Sequence, residues 1–283
     1  TGDSRIINGQ PADVADYPFL VSIRASEDGE SGICGGTVIA PNVVLTAAHC
    51  VTPDAQYPEP LGSPYNSINN YLMPMVVTAA DVPANDPDLP VPTTNLVPTK
   101  AVVTSAGWAE NPVTVAGLDI ALLLLEEDLL DVEVASLPAA GTTYTAGEAF
   151  NIAGWGNTSP TDTIYPTTLM EATVNYVPRR TCYDLLVEVD QYLPSDGFAI
   201  DNSWICAQGP EVGGYYTDAC QGDSGGPMSI IDGLTGRATV VGVVSWGFGC
   251  GGTTPGVYTN VEYFTPWIEH WLSVWEDKGL IHE

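Results

Sequence analysis

Short apolar runs, rich in Val and Ile and bounded by turn residues, recur along this chain. Examples are NVVLTAA at 42–48, IALLLL at 120–125, FNIAGW at 150–155 and TVVGVVSW at 239–246. Runs of this length and composition favour β-strands over helices. Because 29 Gly and 23 Pro interrupt the pattern, we predict an antiparallel all-β protein.

Two stretches between the runs show no strand pattern. Residues 53–98 are dense in Pro and Asn, and most of them are predicted to form a long surface loop. The segment EEDLLDVEVASLPAAGT at 126–142 lies between two apolar blocks and is the predicted linker.

The C-terminus follows a helical pattern instead. Thr265 is a suitable N-cap and Pro266 suits the first helical position, so the helix is predicted to begin there. Trp267, Trp271 and Trp275 recur every four residues and form one apolar face. Such a stripe is compatible with ligand binding, but we predict that it packs on the protein's own core.

Composition narrows the function classes. The 283 residues, 45% of them hydrophobic, allow one large or two medium domains with a substantial core. A net charge of −28 argues against nucleic-acid binding and favours attraction of cationic partners, although solubility explains most of the charge. No apolar run reaches 18 residues, so no membrane helix is predicted.

Six widely spaced cysteines without a C-x-x-C pair predict three disulfides and an oxidising compartment, and argue against a zinc or redox site. Arithmetic alone leaves 15 connectivities open. The N-terminal TGDSRIINGQ has no apolar signal region. Either the protein is not secreted or a signal has been removed ahead of this numbering.

The stretch GDSGGP at 222–227 is the first candidate for chemistry. Its glycines suit a tight turn that exposes the Ser224 hydroxyl, although an ordinary surface turn has the same composition. A serine nucleophile needs a base and an orienting group. Among the three histidines, His49 follows a strand-like run, and Asp119 is the acid set most deeply in apolar sequence. Alternatively, His49 is an ordinary half-buried histidine.

Three motifs in this order, TAAHC at 46–50, DIALL at 119–123 and GDSGGP, resemble the chymotrypsin-like (trypsin-type) serine endopeptidases. RIINGQPADVADYPFLVSI, CGGTVIAPNVVLTAAHC, AGWGNT and VSWGFGCGGTTPGVYTNV extend the resemblance from Ile6 to about Leu272. It implies two antiparallel six-stranded β-barrels with the active site between them, plus a C-terminal α-helix. The implied parts are a propeptide remnant at 1–5, the first barrel at 6–130, the second at 131–262 and the helix at 263–278.

The resemblance also implies a role for each site residue. Ser224 is the expected nucleophile, His49 the general base and then acid, and Asp119 the group that holds the imidazole. The N–H groups of Gly222 and Ser224 are the expected oxyanion hole. Ser245 is expected beside Asp119.

Asp218, six residues before Ser224, matches the base of the primary pocket in trypsin-like members. Gly247 and Gly256 match its walls, and the remaining substrate-binding residues are Gln221, Ser245 and Trp246. A buried carboxylate in an open slot selects Arg or Lys, because an uncharged side chain would leave it unpaired. The alternative is that Asp218 is an exposed loop acid.

By the same resemblance, cleavage of the Arg5–Ile6 bond activates the protein, and the new Ile6 ammonium pairs with Asp223. The implied disulfides are Cys34–Cys50, Cys182–Cys206 and Cys220–Cys250. The implied protein is a secreted, extracellular monomer that acts on proteins or peptides with Arg or Lys at the cleaved bond and is open to protein inhibitors. Neither nucleic acid nor membrane is an expected partner. No cofactor or metal is expected, since the family's calcium-binding loop is not recognisable.

Two features depart from a compact member of this family. His49 and Asp119 are 70 positions apart (119 − 49), so the Pro-rich excess is expected to form loops near the cleft. The long loop between Cys182 and Cys206 is expected to border the far substrate subsites.

Two other functions compete with this interpretation. One is a non-catalytic homologue that keeps the fold as a binding module, against which the complete set of catalytic residues argues. The other is an esterase of another fold with a G-x-S-x-G turn. Those hydrolases run Ser, Asp, His along the chain, whereas this chain runs His, Asp, Ser.

Overall fold

The computed structural model describes residues 6–24, 32–52, 74–82, 95–106, 108, 118–189 and 202–281. Within these residues the chain forms two closed antiparallel barrels of six strands each and ends in a helix. The predicted fold class is therefore confirmed. Some predictions lie outside the described residues, namely the structure of residues 1–5, of the loop segments at 53–73 and 83–94, and of residues 190–201 in the Cys182–Cys206 loop.

The first barrel follows a two-residue strand, β1 (Gln10–Pro11). Its strands are β2 (Leu20–Arg24), β3 (Gly32–Ala40), β4 (Val43–Thr46), β5 (Met75–Thr78), β6 (Val97–Thr104) and β7 (Ala121–Leu125). They close in the order β2-β3-β4-β7-β6-β5. β5 and the first two residues of β6 lie inside the segment at 53–98, most of which is predicted as surface loop. The loop prediction did not identify the four strand residues of β5. The strand β5 is short, and its partner in the sheet, β2, is far away in sequence.

The second barrel begins with β8 (Ala149–Gly154) and β9 (Met170–Val177). The remaining strands are β10 (Trp204–Gln208), β11 (Glu211–Val212), β12 (Tyr215–Tyr216), β13 (Pro227–Ile231), β14 (Ala238–Trp246) and β15 (Gly256–Asn260). The barrel runs β9-β10-β15-β14-β13-β8 and closes by pairing β8 with β9, while β1 adds to the outside of β9. β11 and β12 form a separate hairpin.

Strand composition follows from the barrel geometry. All five residues of β7 are buried, which explains an apolar run without alternation, because both faces of the strand are covered. Inside the same barrel, a β-carbon on Gly36 would lie 2.6 Å from Val44 Cγ1. Glycine at this position therefore lets the sheet close over its own core.

The segment between β7 and β8 connects the two barrels, where the linker is predicted. Its backbone bonds to both sides: the Ala135 N–H donates to Val38 O at 2.9 Å and the Ser136 N–H donates to Ala238 O at 2.8 Å. The linker therefore helps to hold the barrels together. The boundary at 130 and 131 stays a prediction.

Two helices depart from the sequence analysis. The first, α1 (Arg179–Val189), contains Cys182, so the predicted Cys182–Cys206 loop starts as a helix, and its residues 190–201 lie outside the described part. The C-terminal helix α2 (Val261–Asp277) begins at Val261, with Asn260 as its N-cap, and has Pro266 in its interior. The predicted start at Pro266 is wrong because burial of Val261 and Phe264 extends the helix by a turn.

The tryptophan face of α2 packs on the core as predicted. Trp275 is only 4% exposed, and Trp267 and Trp271 pack against the same core cluster while partly exposed. Neither α1 nor α2, nor any other helix in the described part of the chain, is long and apolar enough to cross a membrane.

Candidate active site

His49 lies on a short 3-10 turn that follows β4. The turn spans Ala48–Cys50, and its residue Ala48 is fully buried. A disulfide joins Cys50 to Cys34 on β3 and so ties the turn to the sheet. One third of the His49 side chain (33%) is exposed, which leaves the imidazole within reach of a substrate.

Asp119 immediately precedes the buried run that forms β7 and is itself only 2% exposed. Its Oδ2 lies 2.7 Å from His49 Nδ1, and its Oδ1 accepts the His49 backbone N–H at 2.8 Å. Ser245, on β14 of the other barrel, donates its hydroxyl to Oδ2 at 2.6 Å. The buried carboxylate is therefore fully hydrogen-bonded, which offsets the cost of removing it from water.

The pKa values of the pair shift in opposite directions. Burial by itself would lower the pKa of His49, but the charge and hydrogen bond of Asp119 outweigh it and raise this pKa. Burial would raise the pKa of Asp119, but His49 and Ser245 outweigh it and lower this pKa. Since a carboxylate only accepts, Nδ1 carries the proton that faces Asp119, and Nε2 of the neutral ring is left as a base.

Ser224 lies on a turn that only glycine neighbours permit. Gly222 and Gly225 have φ values of 98° and 75°, in the region that favours glycine. A β-carbon on Gly225 would collide with Thr46 Oγ1 and lie 2.7 Å from the Gly35 carbonyl oxygen. The turn is thus pressed against the first barrel, and the Gly35 N–H donates to the Ser224 carbonyl at 2.8 Å.

The same contacts bring the Ser224 turn beside His49. A β-carbon on Gly225 would lie 3.1 Å from Cys50 Sγ, and that sulfur lies 3.8 Å from His49 Nε2. Among the described residues, Ser224 Oγ makes no hydrogen bond to either ring nitrogen, and the ring's Nδ1 is bonded to Asp119. The structure therefore places the serine turn on the Nε2 side of the imidazole and leaves this hydrogen bond unmade.

Asp223 is a second buried acid, only 3% exposed. It accepts the Gly156 N–H at 2.8 Å and the Cys220 N–H at 2.9 Å. Burial raises the pKa of Asp223 to about 6, although the hydrogen bonds from these two N–H groups lower it. Among the described residues no cationic side chain pairs with it.

The expected activation bond joins Arg5 to Ile6. Arg5 lies outside the described residues. Ile6 is 1% exposed and packs into the core of the second barrel. Its φ of 47° is unusual for a β-branched residue and marks local backbone strain.

A pocket of about 200 Å³ opens beside Ser224. All the sequence-predicted substrate-binding residues line it: Asp218, Gln221, Ser245, Trp246, Gly247 and Gly256. A β-carbon on Gly247 would lie 3.9 Å from Gly256 Cα, so the two glycines are close neighbours in the pocket wall. A β-carbon on Gly256 would lie 2.8 Å from Asp218 Oδ1 and would cover the carboxylate.

Asp218 is a buried pocket residue with 6% exposure, so the alternative of an exposed loop acid is wrong. Burial raises the pKa of Asp218 to about 7. The backbone N–H groups of Gly251 and Ala219 oppose this rise, and the charge of Asp223 adds to it. The hydrogen bond from Gly251 N to Oδ2 is 3.1 Å long. The pocket therefore holds an acid whose ionised form would gain from a cationic ligand.

Sequence reasoning missed three residues of this pocket region. Gly251 donates to Asp218, and Ile7 pairs with Asp218 as an isolated β-bridge. The buried Tyr258 hydroxyl lines the pocket and has no hydrogen-bond partner among the described residues. The position of Gly251 next to Cys250 was the one signal available, since Cys250 belongs to the implied disulfide with Cys220.

The three disulfides pair as the resemblance implied: Cys34–Cys50, Cys182–Cys206 and Cys220–Cys250. The last one joins the turn that bears Ser224 to the pocket wall. The two sulfur atoms near His49 belong to the Cys34–Cys50 disulfide, so neither offers a thiolate ligand to a metal.

Known proteins resemble this chain over most of its length. The family model described as Trypsin matches residues 6–268. Tryptase of Mus musculus is 31% identical over 94% of this chain and 88% of its own length. Trypsin Blo t 3 of Blomia tropicalis is 30% identical over 93% of this chain and 85% of its own. Trypsin of Saccharopolyspora erythraea is 34% identical over 90% of this chain and 93% of its own.

Proposed function

Because this chain belongs to the trypsin family of serine proteases, we propose that it is a secreted endopeptidase that cleaves peptide bonds after Arg or Lys. One observation carries this proposal: Ser224 lines the same pocket as the buried carboxylate of Asp218. A basic side chain that reaches Asp218 would hold its own carbonyl carbon near the Ser224 turn. The three disulfides support an extracellular setting.

The proposed reaction begins with attack by Ser224 Oγ on the carbonyl carbon, while the hydroxyl proton passes to His49 Nε2. The carbonyl oxygen becomes an oxyanion that accepts the N–H groups of Gly222 and Ser224. Asp119 stabilises the imidazolium, in keeping with the raised pKa of His49. The imidazolium then protonates the leaving amine, the C–N bond breaks, and an acyl ester of Ser224 remains.

Hydrolysis of the ester uses the same groups in reverse. His49 Nε2 takes a proton from a water molecule, whose oxygen attacks the ester carbon. The proton returns to Ser224 Oγ as the C–O bond breaks, and the product leaves as a carboxylic acid. Ser245 takes part in this cycle through Asp119, whose orientation its hydroxyl helps to hold.

A peptide library tests the substrate class directly. The protein cleaved at Arg5 is expected to cut almost solely after Arg or Lys, because other side chains would leave the buried Asp218 unpaired. Mass spectrometry of the products gives the cleaved bonds, and a Ser224→Ala preparation in parallel shows which cuts belong to a contaminant. Cutting mainly after aromatic or small residues would refute the proposed pocket.

Activation is proposed to follow cleavage of the Arg5–Ile6 bond, which is itself of the kind that Asp218 would select. The new Ile6 ammonium would pair with Asp223, the buried acid beside the nucleophile. This ion pair would raise the pKa of the ammonium above its ordinary value of about 8. The pair would therefore be present at neutral pH and be lost as the pH rises through the raised pKa.

The activation proposal predicts that Arg5→Gln protein stays uncut and shows little activity on a small amide substrate. Arg5→Lys is the matched control, because it keeps a basic residue at the bond and should activate normally. Mass spectrometry reports the state of the N-terminus in each sample. Full activity of Arg5→Gln protein with an uncut N-terminus would show that no such switch operates.

A further inference from the structure

The residues just after the expected cleavage site lie against the base of the specificity pocket. The Ile7 N–H donates to the Asp218 carbonyl at 3.2 Å, and the Asp218 N–H donates to the Ile7 carbonyl at 3.3 Å. Ile7 is only 2% exposed. The main chain of the pocket acid is therefore paired on one side with this N-terminal segment.

The Ile7 side chain also lies close to Gly251, which follows the pocket residue Cys250. A β-carbon on Gly251 would lie 2.7 Å from Ile7 Cγ2 and 2.9 Å from the Tyr216 carbonyl oxygen. Gly251 has a φ of 67°, which favours glycine. Its α-carbon is therefore held between the Ile7 methyl group and the strand that contains Tyr216.

Gly251 also makes two backbone hydrogen bonds that point in different directions. Its carbonyl accepts the Tyr216 N–H at 2.9 Å, and its N–H donates to Asp218 Oδ2 at 3.1 Å. The neighbouring Asn8 strengthens the arrangement, because its side-chain amide donates to the Tyr215 carbonyl at 2.8 Å. Ile7 and Asn8 thus hold the β11–β12 hairpin and Gly251 together.

We propose that Ile7 is a positioning residue of the specificity pocket. Its γ2 methyl group holds Gly251 in place, and Gly251 in turn directs its N–H at the Asp218 carboxylate. Loss of the methyl group lets Gly251 move and weakens that hydrogen bond. This inference rests on the proposed function, since it takes Asp218 as the group that receives the basic side chain of the substrate.

The hydrogen bond matters because Asp218 must be ionised to attract a cation. The hydrogen bond from the Gly251 N–H is the largest of the effects that lower the pKa of Asp218 and so oppose burial. The titratable groups that face Asp218 are Asp223 and the Tyr258 hydroxyl. Segments 6–10 and 247–256 contain no free titratable side chain, and the hairpin contributes Glu211, Tyr215 and Tyr216.

The test measures kcat/KM for an Arg substrate and for an uncharged apolar substrate across pH 5–9. Titration of His49 affects both substrates, so the ratio of the two values isolates Asp218. In the wild type, the ratio is expected to rise with pH as Asp218 ionises. In Ile7→Ala, a weaker Gly251 bond raises the pKa of Asp218. The midpoint should then move up by about 0.5 to 1 pH unit, and the ratio at pH 7 should fall about two- to fivefold.

Two further variants separate positioning from mere stability. Ile7→Val keeps the γ2 methyl group and should retain the wild-type midpoint. Ile7→Leu keeps the side-chain volume without that methyl group and should shift the midpoint as Ile7→Ala does, even where Ile7→Ala protein folds poorly. All samples are cleaved at Arg5 and compared per active site by titration with an organophosphate.

The outcomes distinguish this inference from the function on which it rests. A wild-type enzyme with no preference for the Arg substrate at any pH would refute the proposed specificity itself. A wild-type preference with a clear midpoint that neither Ile7→Ala nor Ile7→Leu moves would overturn the role of Ile7 alone. An equal shift in Ile7→Val would overturn the role of the methyl group.

Discussion

Ser224→Ala protein is expected to hydrolyse a peptide amide with kcat lowered by on the order of 10⁵- to 10⁶-fold. The hydroxyl is the atom that forms the acyl ester, and no other described side chain on the 222–226 turn replaces it. The effect is large because serine, imidazole and carboxylate act as a unit. The fold should persist, since the turn is held by its glycines and by the bond from Gly35 to the Ser224 carbonyl.

Single-turnover labelling and amidase assays measure this loss. Wild-type protein cleaved at Arg5 should take up one serine-reactive organophosphate per molecule, and Ser224→Ala should take up none. Ser273→Ala is the matched control, because Ser273 is exposed on α2 and outside the site. Substantial amidase activity in a clean Ser224→Ala preparation would rule out Ser224 as the nucleophile. A wild-type protein that takes up no label and hydrolyses no amide would support the binding-module interpretation instead.

Asp218→Ser protein is expected to lose its preference for Arg and Lys, with kcat/KM for an Arg substrate lowered roughly 10²- to 10³-fold. Asp218 is the buried acid that lines the pocket, and no other carboxylate of the described residues lines it. Without it, a cationic side chain would enter a buried slot with no opposite charge. Activity on apolar residues should rise weakly at most, because the pocket shape is unchanged.

The charge of the whole protein requires a control for this prediction. At a net charge of −28, any lost carboxylate weakens the attraction of a cationic substrate slightly. Asp184→Ser removes the same charge from an exposed position on α1 and should leave kcat/KM within about twofold. Equal losses in Asp218→Ser and Asp184→Ser would show that overall charge, and not the pocket, selects basic residues.

The pH dependence of specificity supplies a second measurement on Asp218. Burial is the main cause that raises the pKa of Asp218 to about 7. The carboxyl is therefore mostly neutral below that pH and mostly charged above it. The preference for Arg over an apolar residue should therefore be strongest above pH 7 and decline as the pH falls through it. A preference that stays constant from pH 8 to pH 5 would show that Asp218 remains ionised throughout.

Local patterns in the sequence determined much of this protein. The four apolar runs became strands because Val, Ile and Leu between turn residues favour sheets wherever they fold. The spacing of Trp267, Trp271 and Trp275 determined an apolar helix face, which depends only on the helical repeat. The order of the TAAHC, DIALL and GDSGGP motifs indicated the family, and through the family the residues to place together.

Tertiary contacts decided the features that local patterns left open or misplaced. The helix starts at Val261 and not at Pro266, because burial of an apolar turn outweighs the hydrogen bond that proline cannot make. β5 pairs with β2 across a long separation, and such a pairing cannot be deduced from four residues of strand. Local propensity is a weak prior that packing overrides.

The site itself shows the same division most clearly. The sequence, through its resemblance to the family, determined which residues we propose to supply the chemistry, namely His49, Asp119, Ser224 and Asp218. The resemblance also indicated that Ser245, 126 positions from Asp119 along the chain, lies beside it. Only the tertiary structure decided that Ile7 and Gly251 meet at the base of the pocket. The reason is physical, because a backbone N–H or a methyl group belongs to almost every residue and becomes informative only when the fold directs it at one carboxylate.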